Sequence, residues 1–307
     1  MARELFMGIK ASKNWTKIKK IEKGWSSDRK YYIEDQEGNK YLLRISDISR
    51  KEDKEREFKI IKKLNKLHFP MSIALDCGIC DQEYYSYQIF SWVEGQDLEV
   101  VLPQLEEKEQ YELGIEAGQI LKLIHSIPLE EKDIPTSTKI PKKLRQLELY
   151  EHSLLRMNND EGVLGFARNN LNRIWRIPPA YLHGDFHPGN LIYTPEGKIG
   201  VIDFNRLEVG DPYEEFYKLE SFVTELSIPY CLGQLEGYFD GVIPMDFWET
   251  LAVYVAHSSL YSIKWAQPFG EKEIDDMRAR YVRAYQDYNG YQNTIPSWFK
   301  PYNRMKN

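Results

Sequence analysis

Residues 183–204 constrain this 307-residue chain more than any other stretch. They read His183-Gly-Asp-Phe-His-Pro-Gly-Asn190, then Leu-Ile-Tyr, a Pro-Glu-Gly turn, and Ile199-Gly-Val-Ile-Asp-Phe204. Asp185 and Asn190 share one loop closed by Pro188 and Gly189. Leu191 to Tyr193 and Lys198 to Ile202 flank the turn Thr194 to Gly197, so the pattern predicts a hairpin that returns Asp203 to the side of Asn190. A carboxylate, an amide oxygen and a second carboxylate then converge. That oxygen-only set suits Mg²⁺ bound with substrate phosphates rather than zinc. An Asx-turn capping local backbone is the plainer reading of H-G-D, and the hairpin-linked Asp203 tells against it.

The rest of the chain divides in two. Trp15 to Glu22, Arg29 to Glu34 and Lys40 to Ser46 read as strands separated by the turn-prone Gly24 to Asp28 and Asp35 to Asn39. Arg50 to His68 is charged, with Phe58, Ile61, Leu64 and Leu67 as one apolar stripe, the mark of an amphipathic helix on a sheet. Ser72 to Cys77 and Tyr84 to Val93 follow as strands. After Glu94-Gly95 the pattern turns helical, at Lys108 to Ser126, Lys142 to Met157, Glu161 to Trp175 and from Tyr213 to about Tyr288, with a polar loop over Glu130 to Pro141. The expected class is α+β: a small sheet-rich lobe over 1–93 with a hinge at 90–95, then a larger helical lobe over 96–307.

Composition excludes other classes. Apolar residues are 42% and charged residues 29%, as in ordinary globular proteins and unlike disordered chains. The net charge of −6 argues against nucleic acid or an anionic membrane as main partner and is compatible with cationic small molecules. Three cysteines make no disulfide framework, and Cys77-x-x-Cys80, without a second pair at metal spacing, reads as a turn between strands. The N-terminus lacks a signal-peptide apolar stretch, and the run Leu251 to Ile263 is too short for the ~20 residues of a membrane span. A cytoplasmic protein is expected. No sequence feature decides its oligomeric state.

H-G-D-x-x-x-x-N followed by I-D-F resembles the aminoglycoside phosphotransferase and choline kinase family, protein-kinase-like small-molecule kinases. The resemblance implies a bilobal protein-kinase-like fold and covers roughly Trp15 to Tyr261. It implies Asp185 as the base that accepts the substrate hydroxyl proton, and Asn190 and Asp203 as ligands of Mg²⁺. His187 takes a position that often carries Lys or Arg near the γ-phosphate, and Asn205 replaces the Gly of D-F-G, tolerating positive φ. Gly24-Trp-Ser26-Ser27-Asp28 would lie over the phosphates, though a plain hairpin turn is an equal reading. Arg44 stands where such kinases usually have Lys, with Glu57 as its expected ion-pair partner and Glu55 as the alternative. Ile89 to Gly95 resembles the hinge, where backbone of Ser91 and Val93 would hold the purine and Phe90 would back the pocket, so ATP and GTP are both admissible donors.

The acceptor is less legible. Glu225, Asp240, Asp246 and Glu249 could bind ammonium groups, and Trp248, Tyr254, Tyr261 and Trp265 could cage a cation, although aromatic stripes on helices are more often core. His183 and His125 are expected to pack behind the catalytic loop, and Asp211 to brace it, while Glu214 and Glu215 could bond neighbouring backbone. Three functions follow: a kinase of aminoglycoside-like or other small cationic alcohols; a kinase of choline, homoserine, a sugar or a protein serine; or a nucleotide-binding regulator with little turnover, favoured only by Arg44.

Overall fold

The turn read at Asp35 to Asn39 is a tight hairpin in the computed structural model, which describes residues 5–22 and 27–300. Asp35 Oδ1 accepts from the N–H groups of Glu37 and Asn39 at 2.9 Å, and Gly38 supplies the positive φ of +82°. Strands β1 (Trp15–Ile21), β2 (Arg29–Asp35), β3 (Lys40–Asp47), β4 (Ala74–Cys80) and β5 (Tyr85–Ser91) form one antiparallel sheet in the order β1-β2-β3-β5-β4. Alternation along β3 sorts its two faces. Leu43 and Ile45 join Ile33, Tyr87 and Ile89 in an apolar core covered by Phe6 and Ile9. Arg44 and Ser46 point the other way, toward helix α1 (Lys51–Leu64), which buries Phe58, Ile60, Ile61 and Leu64. Leu67, read as part of that stripe, lies beyond the helix end and is half-buried.

Cys77 and Cys80 lie inside β4 rather than in a turn, and both thiols are free. The turn comes later, where Tyr84 N–H closes on Asp81 C=O at 3.0 Å. The first unit, Met1–Asp97 with Asn190–Leu207, also holds a three-stranded sheet of β6 (Gln96–Asp97), β8 (Leu191–Tyr193) and β9 (Ile199–Val201).

The second unit, Leu98–Gly189 with Glu208–Asn307, is mainly helical. Its longer helices are α2 (Glu107–His125), α3 (Ile140–Glu151), α4 (Glu161–Asn170), α5 (Ile228–Phe239), α6 (Met245–Trp265) and α7 (Glu271–Asp287). A two-stranded ribbon pairs β7 (Ala180–Leu182) with β10 (Glu208–Gly210). Helix α3 stops short of the expected Met157 because Tyr150 hydroxyl binds Asp160 at 2.6 Å and accepts from Met157 N–H at 2.9 Å, turning the chain back. The apolar run Leu251 to Ile263 is the buried centre of α6. Among the described residues no helix is long and apolar enough to cross a membrane.

Helices α2 and α5 meet through glycines on both sides. A Cβ on Gly114 would stand 2.3 Å from Tyr230 O, and one on Gly233 would stand 2.1 Å from Tyr111 O. Backbone sits against backbone there, so neither helix has a side chain that can yield. Gly114→Ala is expected to destabilise the protein by about 1–3 kcal/mol. Gly162→Ala in α4, where a Cβ meets nothing within 4 Å, is expected to be neutral or stabilising. Urea denaturation of the two variants checks the contrast.

Candidate active site

The first unit holds a buried cluster of charges under β2 and β3. Arg44 Nη1 donates to Glu57 at 2.7 Å, and Nη2 donates to Asp28 at 2.7 Å. Lys54, one turn before Glu57 on α1, reaches Asp28 at 2.7 Å and Glu57 at 3.2 Å. Ser46 hydroxyl donates to the other oxygen of Asp28. Arg50 Nη1 approaches Asp28 Oδ1 at 3.3 Å from a partly exposed side chain, so three cations meet two anions, and every buried charge is paired, the condition under which buried charges are tolerated. Burial pushes the Asp28 carboxyl up, but Arg44 and Lys54 outweigh it and hold the pKa below its usual value. Burial and Arg44 together push Lys54 down against the pull of Glu57 and Asp28. Glu55 lies outside the cluster, paired with Lys51 on the surface.

Asn190 and Asp203 flank the β8–β9 hairpin in the same unit, and Ile202 N–H bonds Asn190 C=O at 3.2 Å. Asp203 takes the left-handed conformation (φ 60°, ψ 60°). Positive φ therefore falls on the aspartate itself, not on Asn205, which begins no left-handed turn and lies within the 3-10 turn Phe204–Arg206. Lys30 Nζ stands 2.8 Å from Asp203 Oδ2. An ammonium on that oxygen marks it as a place for positive charge. With an amide oxygen at Asn190, the donors are all oxygen, which fits a hard divalent cation.

The chain at 90–95, expected from the sequence to be a hinge, is anchored. Ser91 N–H donates to Ile73 C=O at 2.9 Å, and Ser91 Oγ accepts from Ile73 N–H at 2.9 Å. Val93 packs on the hairpin so closely that a Cβ on Gly200 would be 2.5 Å from it. Gly95, at φ +138°, passes Tyr193 with no room for a side chain. Ser27 is exposed, and its hydroxyl lies 3.4 Å from Arg50 Nη1. Ser26 and the rest of residues 23–26 lie outside the described residues.

In the second unit, β7 ends at Leu182 and delivers the H-G-D loop. Gly184 adopts φ +80°, and its N–H donates to Glu215 at 2.6 Å. His183 is fully buried and accepts from Asp185 N–H at 3.2 Å, so it holds the loop from behind. Lys218 Nζ donates to Asp185 Oδ1 at 2.5 Å from a side chain only 4% exposed. His187 Nε2 lies 3.6 Å from the same oxygen, and its ring stacks on Phe222 at 4.9 Å.

Other expectations fall elsewhere. His125 is buried as expected: its Nδ1 meets the Tyr238 hydroxyl at 2.9 Å, and burial pushes its pKa down to about 3. Asp211 ties Trp175 N–H (2.8 Å) to the Tyr254 hydroxyl (2.7 Å), bracing the approach to β7 against α6. Tyr254 and Trp248 are core residues, not a cage. Glu225 is taken by Arg283 and Arg280, Asp240 by Lys122, and Glu249 by Arg173. Tyr261 and Trp265 are half-buried on α6, and Asp246 is exposed at its start. Sequence reasoning missed Lys30, Lys54 and Lys218. The first was readable from hairpin register and the second from helical spacing to Glu57, but nothing marks Lys218.

Glu214 and Glu215 diverge although adjacent. Burial pushes both up; Lys143 and Lys139 reverse this at Glu214, down to about 2. Glu215 stays pushed up to about 8 by burial, against its hydrogen bond from Gly184 N–H and the charge of Lys218. A carboxyl with a raised folded pKa binds its proton more tightly when folded, so its contribution to stability falls as pH rises from its unfolded value of 4.5 to about 8. Glu215→Gln keeps the acceptor for Gly184 N–H and removes the titration. Its stability relative to wild type is expected to increase steadily across that window, read as denaturation midpoints at several pH values.

A family model described as the phosphotransferase enzyme family, APH, matches residues 17–252. Comparison with curated protein sequences gives no match. Among solved structures the chain is similar to the GDP complex of wild-type aminoglycoside 2'-phosphotransferase-IIIa, with TM-score 0.69, 15% identity, and 92% of this chain and 97% of that one covered. It is similar to the amicoumacin kinase hAmiN in complex with AMP-PNP, Ca²⁺ and Ami, with TM-score 0.65, 14% identity, and 91% and 90% covered. It is also similar to the gentamicin complex of APH(2")-IIa, with TM-score 0.65, 19% identity, and 88% and 92% covered. These likenesses show the α+β protein-kinase-like fold expected from the sequence.

Proposed function

The chain belongs to the phosphotransferase enzyme family, and we propose that it moves the γ-phosphoryl of ATP or GTP to a hydroxyl of an aminoglycoside-like or other small cationic alcohol. The observation that carries this reading is Asp185 in its H-G-D loop, fixed by the Lys218 ammonium at 2.5 Å. Its carboxylate takes the proton of the acceptor hydroxyl as that oxygen bonds the γ-phosphorus. The bond from phosphorus to the bridging oxygen breaks, and its electrons leave with the nucleoside diphosphate. Lys218 orients the base and does not itself react.

Asn190 and Asp203 are the residues that would hold Mg²⁺, which when bound offsets the charge of the β- and γ-phosphates. His187, its ring stacked on Phe222, would donate to the transferred phosphoryl oxygens. Ser91 and Val93 would offer backbone to the purine edge, and Ser27 would lie over the phosphates. The acidic excess of 47 over 41 favours a cationic acceptor. A cytoplasmic location, where nucleoside triphosphate is supplied, accompanies this reading.

The test is product identification. The protein is incubated with Mg²⁺, ATP or GTP, and separately with aminoglycosides, choline, homoserine and sugars, and the products are weighed by mass spectrometry. One phosphoryl group gained by an aminoglycoside or related cationic alcohol is the expected result. Gain only by choline, homoserine or a sugar selects the metabolite-kinase alternative. Nucleotide binding without any product selects the regulator.

A further inference from the structure

Lys30 and Arg44 are direct partners across the β2–β3 ladder, so their side chains leave the same face of the sheet. Arg44 holds the position that the family resemblance assigns to phosphate binding, but its hydrogen bonds are committed elsewhere. One terminal nitrogen is bound to Glu57 and the other to Asp28, each at 2.7 Å, and the side chain is 3% exposed. Its Nε is buried without a hydrogen-bond partner among the described residues, so no nucleotide oxygen reaches it from solvent. Asp203 makes itself felt at Arg44 only as a nearby charge.

Lys30 differs on each count. Its side chain is 12% exposed, and its ammonium lies 2.8 Å from Asp203 Oδ2, the carboxylate read as a metal ligand. An ammonium carries three donors, so contact with Asp203 leaves hydrogens for a further anion. Resting on the proposed phosphotransferase reading, we propose that Lys30, not Arg44, is the cation that binds the nucleotide phosphates. Arg44 serves instead to lock Asp28, just before β2, against Glu57 of α1. Lys30 shifts from Asp203 toward the phosphate oxygens as the divalent cation takes the carboxylate.

Calorimetric titration with Mg²⁺ and the nucleoside triphosphate, and separately with the nucleoside alone, tests this on the full chain. Lys30→Met is expected to weaken triphosphate binding about tenfold to hundredfold, the effect of one charge-assisted hydrogen bond, and to leave nucleoside binding unchanged. Lys30→Arg is expected to recover most of the loss. Arg44→Lys is expected to lower the melting temperature while keeping the ratio of triphosphate to nucleoside affinity within about threefold of wild type. A Lys30→Met ratio equal to wild type overturns the assignment, as does collapse of the ratio in folded Arg44→Lys. If wild type binds no triphosphate with Mg²⁺, the phosphotransferase reading falls and this inference with it. Binding by wild type with an indifferent Lys30→Met overturns this inference alone.

Discussion

Asp185→Ala is expected to lower the rate of phosphoryl transfer by about 10³-fold, the scale of losing a positioned general base. The carboxylate is the only acidic group of the H-G-D loop. Lys218, 4% exposed, holds it at 2.5 Å, and His183 accepts from its backbone N–H at 3.2 Å. Removing the carboxylate leaves the Lys218 ammonium buried without that partner, so alanine also costs stability. Asp185→Asn separates the two effects because it keeps an oxygen for Lys218 and cannot take a proton at neutral pH. Steady-state kinetics are expected to show a fall in kcat in both variants with nucleotide KM little changed, since the interaction lost belongs to the transition state. Loss of nucleotide binding equal to the loss of rate would assign Asp185 to substrate binding instead.

Arg44→Met is expected to cost about 3–5 kcal/mol of stability, the penalty for stranding buried partners of a removed charge. Asp28 and Glu57 each lose a 2.7 Å bond; both keep Lys54, and Asp28 also keeps Ser46 and the longer contact with Arg50. The double variant Arg44→Met with Asp28→Asn, which removes one stranded anion, is expected to recover part of the loss. Sites in one ion-pair network couple, so the two changes are not additive. Chemical denaturation at equal ionic strength measures both. A single variant as stable as wild type would mean that the cluster is solvated in solution, contrary to the burial that defines it.

Much of the fold was legible because it rests on local chemistry. The Asp35 to Asn39 turn, the alternation in β3 and the apolar stripe of α1 each follow from neighbours a few residues away. The close α2–α5 contact is not legible in the sequence: Leu113, Ala117 and Ile120 carry the helical pattern, whereas Gly114 and Gly118 matter only because they meet the backbone of Tyr230 and Gln234 more than a hundred residues later. The same distance explains the missed lysines. Lys218 is one ammonium among 41 basic residues until the fold carries it to Asp185, thirty-three positions upstream. The aromatic residues of α6 divide only in three dimensions, where Trp248 and Tyr254 turn into the core while Tyr261 and Trp265 stay half-buried.

Transfer of a phosphoryl group through Asp185 is the step on which the proposed function rests. It is tested most directly by following γ-labelled ATP and GTP with Mg²⁺ and the acceptor panel, wild type beside Asp185→Asn. Label is expected on one class of acceptor in the wild type, in step with release of the nucleoside diphosphate, and almost none in the variant. Label transferred equally well by Asp185→Asn, or no transfer to any acceptor while the nucleotide remains bound, would contradict it.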